Sequence, residues 1–240
     1  MKKTLILFLL LALFVLSLPV SQVQAREYAS YKQEQNALFP WLKNLYADDS
    51  PTGNVSSTLD ANPTGRKVLL PVTPLAQERN NTCAPACAKM ILASRGILVT
   101  ESDLAYEMGT SGDFGTYNAN AIAVLNRYLA AYGVPSRYDL ITVNSADPAS
   151  NDMLLFKQRL IMDIDAGFPM YLTFDMSVIY PGRRGEHSVA LVGYALTEDG
   201  QDVAAVYFID PFPTTQGLKV INPEELLRGV LPCVEPNYAW

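Results

Sequence analysis

The chain has 240 residues, 18 basic against 24 acidic side chains, and a formal net charge of −6. An acidic balance without a basic tract excludes nucleic acid as a partner, and 49% hydrophobic with only 18% charged residues excludes a disordered chain. A single histidine with no clustered ligands beside it gives no zinc pattern, so neither metal nor other cofactor is expected.

The chain opens with Met1-Lys2-Lys3, an apolar run over residues 4–18 and the small-residue close Val23-Gln24-Ala25. This is the pattern of a secretory signal peptide (1–25) cut after Ala25. Its apolar run is shorter than the ~20 residues a membrane span needs, so no stable insertion is expected after cleavage. The mature protein is then exported from a bacterial cell, to the periplasm or beyond. Loss of the two signal lysines leaves 16 basic against 24 acidic residues. Residues 26–66 form an N-terminal segment and linker. Its first part, 26–49, is polar and aromatic and reads as a pro-segment over a cleft or a helix packed on the domain. The Pro, Gly and Ser content of 50–66 marks a linker. Residues 67–240 form one domain, large enough for a well-buried core.

Within that domain a short strand near Val68 precedes a helix that starts at Cys83 and stops near Gly96. Thr82 is placed to cap it, and Pro85 falls in the first turn, where its missing N–H costs nothing. Thr100-Glu101-Ser102-Asp103 is a capping signature for a second helix ending at Gly109. A Gly-rich loop over 110–117 leads to a helix over 118–132, and another helix covers 152–166. From Pro169 the period changes, and 170–174, 188–196, 203–209 and 218–221 read as strands. Helices first and strands second predicts an α+β fold.

The residues that carry chemistry lie on both halves. Cys83 opens the first long helix, where the dipole favours thiolate, and Gln77 stands six residues before it as an amide donor. His187 is the sole imidazole and Asp210 ends an apolar run before Pro211. The order oxyanion donor, nucleophile, base and orienting carboxylate is that of acyl-transfer catalysis. Asp199-Gly200 is a hairpin signal between the last two candidates. A turn centred there makes residue i face residue 399 − i. His187 then faces Phe212, with Asp210 in diagonal reach on the same side. The loops 109–115 and 180–185 flank these residues as candidate cleft walls.

These segments resemble the papain-superfamily cysteine peptidases, and among them the bacteriocin-leader-processing (double-glycine-leader) peptidases and their stand-alone relatives. Those share a glutamine some six residues before Cys-Gly-Pro-Ala, a His-x-Val-Val-Val-Gly-Tyr segment and a closing Asp-Pro. Here the counterparts are Gln77 with Cys83-Ala84-Pro85-Ala86, His187 to Tyr194, and Asp210-Pro211, within about residues 68 to 221. Ala84 replaces the family's glycine, and Cys87 is an additional thiol. The resemblance implies a papain-like fold, with the nucleophile on a helical half and His and Asp on an antiparallel sheet half. It implies a thiol protease acting on peptide or protein substrates. Other Cys–His–Asp acyl transfer (amidase, transglutaminase-like or peptidoglycan-directed) and non-catalytic peptide binding stay open, because one fold hosts several functions. Three cysteines in an exported chain fit one bridge and one free catalytic thiol. The expected bridge is Cys87–Cys233.

Overall fold

A seven-stranded antiparallel sheet carries His187 and Asp210 and backs the helix that begins at Cys83. The computed structural model describes residues 65–134 and 138–240, within a unit running from Thr52 to Trp240. The predicted signal peptide and almost all of the segment 26–66 lie outside the described residues. The strands are β1 (Lys67–Leu69), β2 (Leu140–Thr142), β3 (Met170–Asp175), β4 (Glu186–Leu196), β5 (Val203–Asp210), β6 (Gly217–Ile221) and β7 (Asn237–Ala239). They run in the order β2-β7-β3-β4-β5-β6, and β1 extends the line of β3 along the same edge of β4. The helices are α1 (Cys83–Ser94), α2 (Glu101–Glu107), α3 (Asn118–Ala131), α4 (Asn151–Asp165), α5 (Met176–Ile179) and α6 (Pro223–Val230). This is the mixed helix and antiparallel sheet arrangement that the helix-then-strand order predicts.

Alternation along the strands sorts the helices onto two faces. Tyr171, Ala190, Val192 and Ile209 join the core that holds Cys87, Ile91 and Leu92 of α1, Leu104 of α2 and Leu125 and Leu129 of α3. Phe174 and Tyr194 belong to the other face. There Gly229 of α6 approaches Phe174, and Asp165 of α4 accepts a hydrogen bond from the Tyr194 hydroxyl at 2.8 Å. Helix α1 is apolar around most of its circumference because it is a central helix, buried from Ala84 to Ala88 and again at 90–92.

The β4–β5 register confirms the 399 − i count at both ends but not between them. Leu196 faces Val203 and Ala190 faces Ile209, whereas Tyr194 faces Val206. Val192 is an extra residue on β4 and Ala204 an extra residue on β5, so the two bulges cancel. The hairpin closes through Thr197 N–H to Asp202 O at 2.9 Å, with Gly200 at φ 71° inside the turn. The loop is therefore longer than the two residues expected, about the same centre.

Four elements were not anticipated: β2, α5, α6 and β7. The C-terminal tail returns as β7 between β2 and β3. This return sets aside the expected Cys87–Cys233 bridge, since all three cysteines are free. Cys87 donates to Ser188 O at 3.1 Å, while Cys233 lies 3.8 Å from Thr173 O and 3.7 Å from Gly229 O. The two thiols are engaged with different carbonyls, and the tail is held by backbone pairing instead.

Candidate active site

Cys83 is the first residue of α1 and is partly exposed, as a nucleophile must be. The expected cap is absent. Thr82 occupies the N-cap position at φ −110° and ψ 27°, outside the extended region a capping side chain needs. Its hydroxyl turns back, donating to Arg79 O at 2.9 Å and accepting from Arg79 N–H at 3.0 Å. The helix therefore starts at Cys83 without a side-chain cap.

The base comes from the start of β4. His187 is buried, and its Nε2 lies 2.7 Å from Oδ1 of Asp210 at the end of β5. With Nε2 so engaged, Nδ1 is the ring nitrogen left to serve the Cys83 thiol, whose charge the ring feels. Phe174 and Phe212 approach the imidazole edge-on, each with centroids 5.8 Å away, and fix its plane. Asp210 is fully buried but well supplied with donors. Its Oδ1 also accepts from Phe212 N–H at 2.7 Å, and its Oδ2 accepts from the Tyr180 hydroxyl at 2.6 Å.

The electrostatics follow from these contacts. Burial alone would raise the Cys83 pKa, but the hydrogen bond and charge of His187, with Ser188 behind them, bring it below its ordinary value. Burial alone would lower that of His187, yet Asp210 and Cys83 push it up to about 9. Burial opposes ionisation of Asp210 too, and the bonds from His187, Tyr180 and Phe212 N–H overcome it and lower its pKa. The pairing favours thiolate, imidazolium and carboxylate over their neutral forms. Cys87, one turn along, is the reverse case: burial, then the charges of Cys83, Asp210 and Glu101, push its pKa well up, so it stays a neutral thiol.

Gln77 is buried in the loop before α1, and its backbone N–H donates to Pro211 O at 2.8 Å, tying that loop to the residue after Asp210. Its Nε2 donates to Arg79 O at 2.7 Å, which leaves one amide hydrogen uncommitted. The structure thus joins Cys83, His187 and Asp210 in one contact chain, with the Gln77 side chain bonded within its own loop rather than to the thiol. The loop around residues 109–115 reaches the entry of α1 through Asn81 Nδ2, which donates to Ser111 O at 2.7 Å. The segment 180–185 carries Tyr180 to Asp210 and Arg183 to the Thr214 hydroxyl at 2.7 Å. Sequence reasoning missed Ser188 and Phe174 as site residues and had Tyr180 only as the start of a cleft wall, not as the partner of Asp210. Adjacency to His187 was the one signal that could have found Ser188.

Comparison with known proteins defines the class first: the chain is a cysteine peptidase, here with a mixed helix and antiparallel sheet fold. It belongs to the Peptidase_C39 like family, whose sequence pattern matches residues 69–226. The fold is similar to that of a C39-like peptidase from Bacillus anthracis, at 18% identity over 72% of this chain and 96% of that one, with a TM-score of 0.49. It is similar also to the peptidase domain of Streptococcus ComA, a bi-functional ABC transporter, at 12% identity over 70% and 96% of the two chains and a TM-score of 0.43. A double glycine motif protease from an AMS/PCAT transporter, solved with its leader peptide, gives 16% identity, coverage of 72% and 91%, and a TM-score of 0.42. No curated protein matches the sequence.

Proposed function

We propose that this cysteine peptidase is exported and hydrolyses peptide bonds through Cys83, His187 and Asp210, with Gln77 as oxyanion donor. The observation that carries this reading is the 2.7 Å His187–Asp210 bond beside a thiol whose pKa that same imidazole lowers. The Cys83 thiolate attacks the scissile carbonyl. The developing oxyanion takes the Cys83 backbone N–H and the uncommitted Gln77 amide hydrogen, a donor of this kind being worth about 3–4 kcal/mol in comparable sites. His187, already protonated, delivers Nδ1–H to the leaving amine. Asp210 keeps the ring oriented and compensates its charge. Water, deprotonated by the then neutral His187, attacks the thioester and frees Cys83.

Export is supported by the charged start, apolar run and Val23-Gln24-Ala25 close of the first 25 residues. Product analysis of a quenched peptide library tests the reaction. We expect free carboxyl and amino termini from the wild type and no cleavage by Cys83→Ala. Products joined to an added amine would make the enzyme a transferase, and cleavage by Cys83→Ala would remove the nucleophile.

A further inference from the structure

We propose that Glu101 is the positioning residue for the oxyanion donor: its buried carboxylate holds the Glu78 N–H and thereby aims the Gln77 amide. The proposal rests on the reading of Gln77 as oxyanion donor and adds the group that sets its place.

Gln77 is pinned through the peptide groups on both sides of its Cα. Its own N–H donates to Pro211 O at 2.8 Å, and the N–H of Glu78 donates to Glu101 Oε1 at 2.8 Å. The first tie comes from the residue after Asp210, the second from the first residue of α2. Rotation of the backbone at Gln77 would break one bond or the other, so the side chain leaves the loop in one direction. Its far end is fixed as well. Nε2 donates to Arg79 O at 2.7 Å, and because a carbonyl only accepts, Nε2 rather than Oε1 stands there. Arg79 is in turn stapled to Thr82, whose hydroxyl and N–H both donate to Arg79 O, at 2.9 and 3.2 Å. The loop from Gln77 to Thr82 is thus one unit with the start of α1. Pro211 and Glu101 set where that unit sits between the sheet and α2, and Asn81 adds a tie to Ser111 O at 2.7 Å.

Glu101 is a costly choice for this seat. It is 1% exposed, and its Oε2 has no hydrogen-bond partner among the described residues. An apolar residue of similar volume would avoid the cost of burying a carboxylate, so packing does not call for one here. What the carboxylate supplies is an acceptor within reach of the Glu78 N–H. Helix α2 carries it there rigidly. Thr100 caps the helix by accepting from Asp103 N–H at 3.0 Å, and Leu104 shares the core with Ile91 of α1. The Glu78 side chain adds a pair with Lys89 at 3.2 Å, but it is half exposed and holds the loop weakly. Placement matters because an oxyanion donor works only at about 2.7–3.1 Å from the oxygen it stabilises.

The test separates aim from fold by comparing two reactions of the same thiol. Peptide hydrolysis builds an oxyanion, whereas alkylation of Cys83 by iodoacetamide displaces iodide from a saturated carbon and builds none. Both are measured on the full-length protein: kcat and KM with one fluorogenic peptide that the wild type cleaves, and Cys83 alkylation by mass spectrometry. Gln77→Ala should lower kcat about 10²–10³-fold, as loss of an oxyanion donor does. Glu101→Asp keeps the charge but draws the carboxylate back by one methylene. A misplacement of about 1 Å costs up to about 10²-fold, so kcat should fall about 10–10²-fold. Glu101→Gln keeps the reach and a carbonyl acceptor, and its kcat should stay within about threefold of the wild type. In all three, KM and the alkylation rate should hold within about twofold, since the lost interaction belongs to the transition state. Gln77→Ala combined with Glu101→Asp should be no slower than Gln77→Ala alone, because Glu101 acts through Gln77. Wild-type kcat in Glu101→Asp, a Glu101→Gln as slow as Glu101→Asp, alkylation falling in step with kcat, or losses that multiply in the double variant would each overturn the proposal. Undiminished kcat in Gln77→Ala would instead overturn the oxyanion reading beneath it.

Discussion

At the scale of single residues, the proposed mechanism asks most of His187, which it pairs with both Cys83 and Asp210. His187→Ala should lower kcat/KM by about 10²–10⁴-fold with the circular dichroism spectrum unchanged. Near-normal turnover in that variant would remove the general-base role. The ion pair also fixes the pH profile. Activity should rise through the lowered pKa of Cys83 and fall as His187 loses its proton at about 9. Initial rates from pH 4 to 10 measure both limbs, and an optimum that keeps rising past pH 9 would contradict the pairing. Cys83, His187 and Asp210 were legible in the sequence because each sits at a recognisable punctuation point: a helix start, a strand start and a strand end. Tyr180 and Ser188 were not, since a hydroxyl partner is defined by contacts such as Tyr180 to Asp210 across thirty positions, which leave no local pattern.

At the scale of elements, the register of β4 against β5 is what puts His187 beside Asp210. It was countable from Asp199-Gly200 only because the bulges at Val192 and Ala204 offset each other. Between those bulges the sequence carries no mark of the shift. Gly193 in the same strand does have a physical reason: a Cβ there would stand 2.4 Å from Val68 O, inside the β1–β4 pairing. Gly193→Ala should therefore push β1 off β4 and cost roughly 1–3 kcal/mol. Urea unfolding measures this, and an unchanged midpoint would show that β1 yields without loss. Helix α6 was readable in principle, because Asn222 accepts from Glu225 N–H at 2.7 Å just ahead of Pro223. Strands β2 and β7 have three residues each, too short for a period-2 pattern to be seen.

At the scale of the whole molecule, His187, Cys83 and Asp163 each tie stability to pH. His187 has a raised folded-state pKa, so its contribution is full below about 6.5 and lost as pH rises through about 9. Cys83, with a lowered pKa, contributes with the opposite sign as pH rises. Asp163 of α4 adds to the His187 trend. Burial pushes its pKa up to about 8 despite Arg159 nearby, and its Oδ2 is buried with no hydrogen-bond partner among the described residues. Its favourable contribution is full below the unfolded value of about 3.9 and fades, by up to about 1.4 kcal/mol per pH unit, until it is lost above 8. Asp163→Asn should flatten that decline and raise Tm at pH 8, as scanning calorimetry would record. An equal decline in the variant would place the cause elsewhere. The central claim, that one of two thiols a helical turn apart is the nucleophile, has a direct measurement. Arg79 and Lys89 bracket Cys83 and Cys87 on one tryptic peptide, so fragmentation of that peptide after treatment with a thiol-directed inhibitor locates the adduct. The account predicts label on Cys83, unchanged in Cys87→Ser and absent in His187→Ala at pH 6. Label on Cys87 would contradict it.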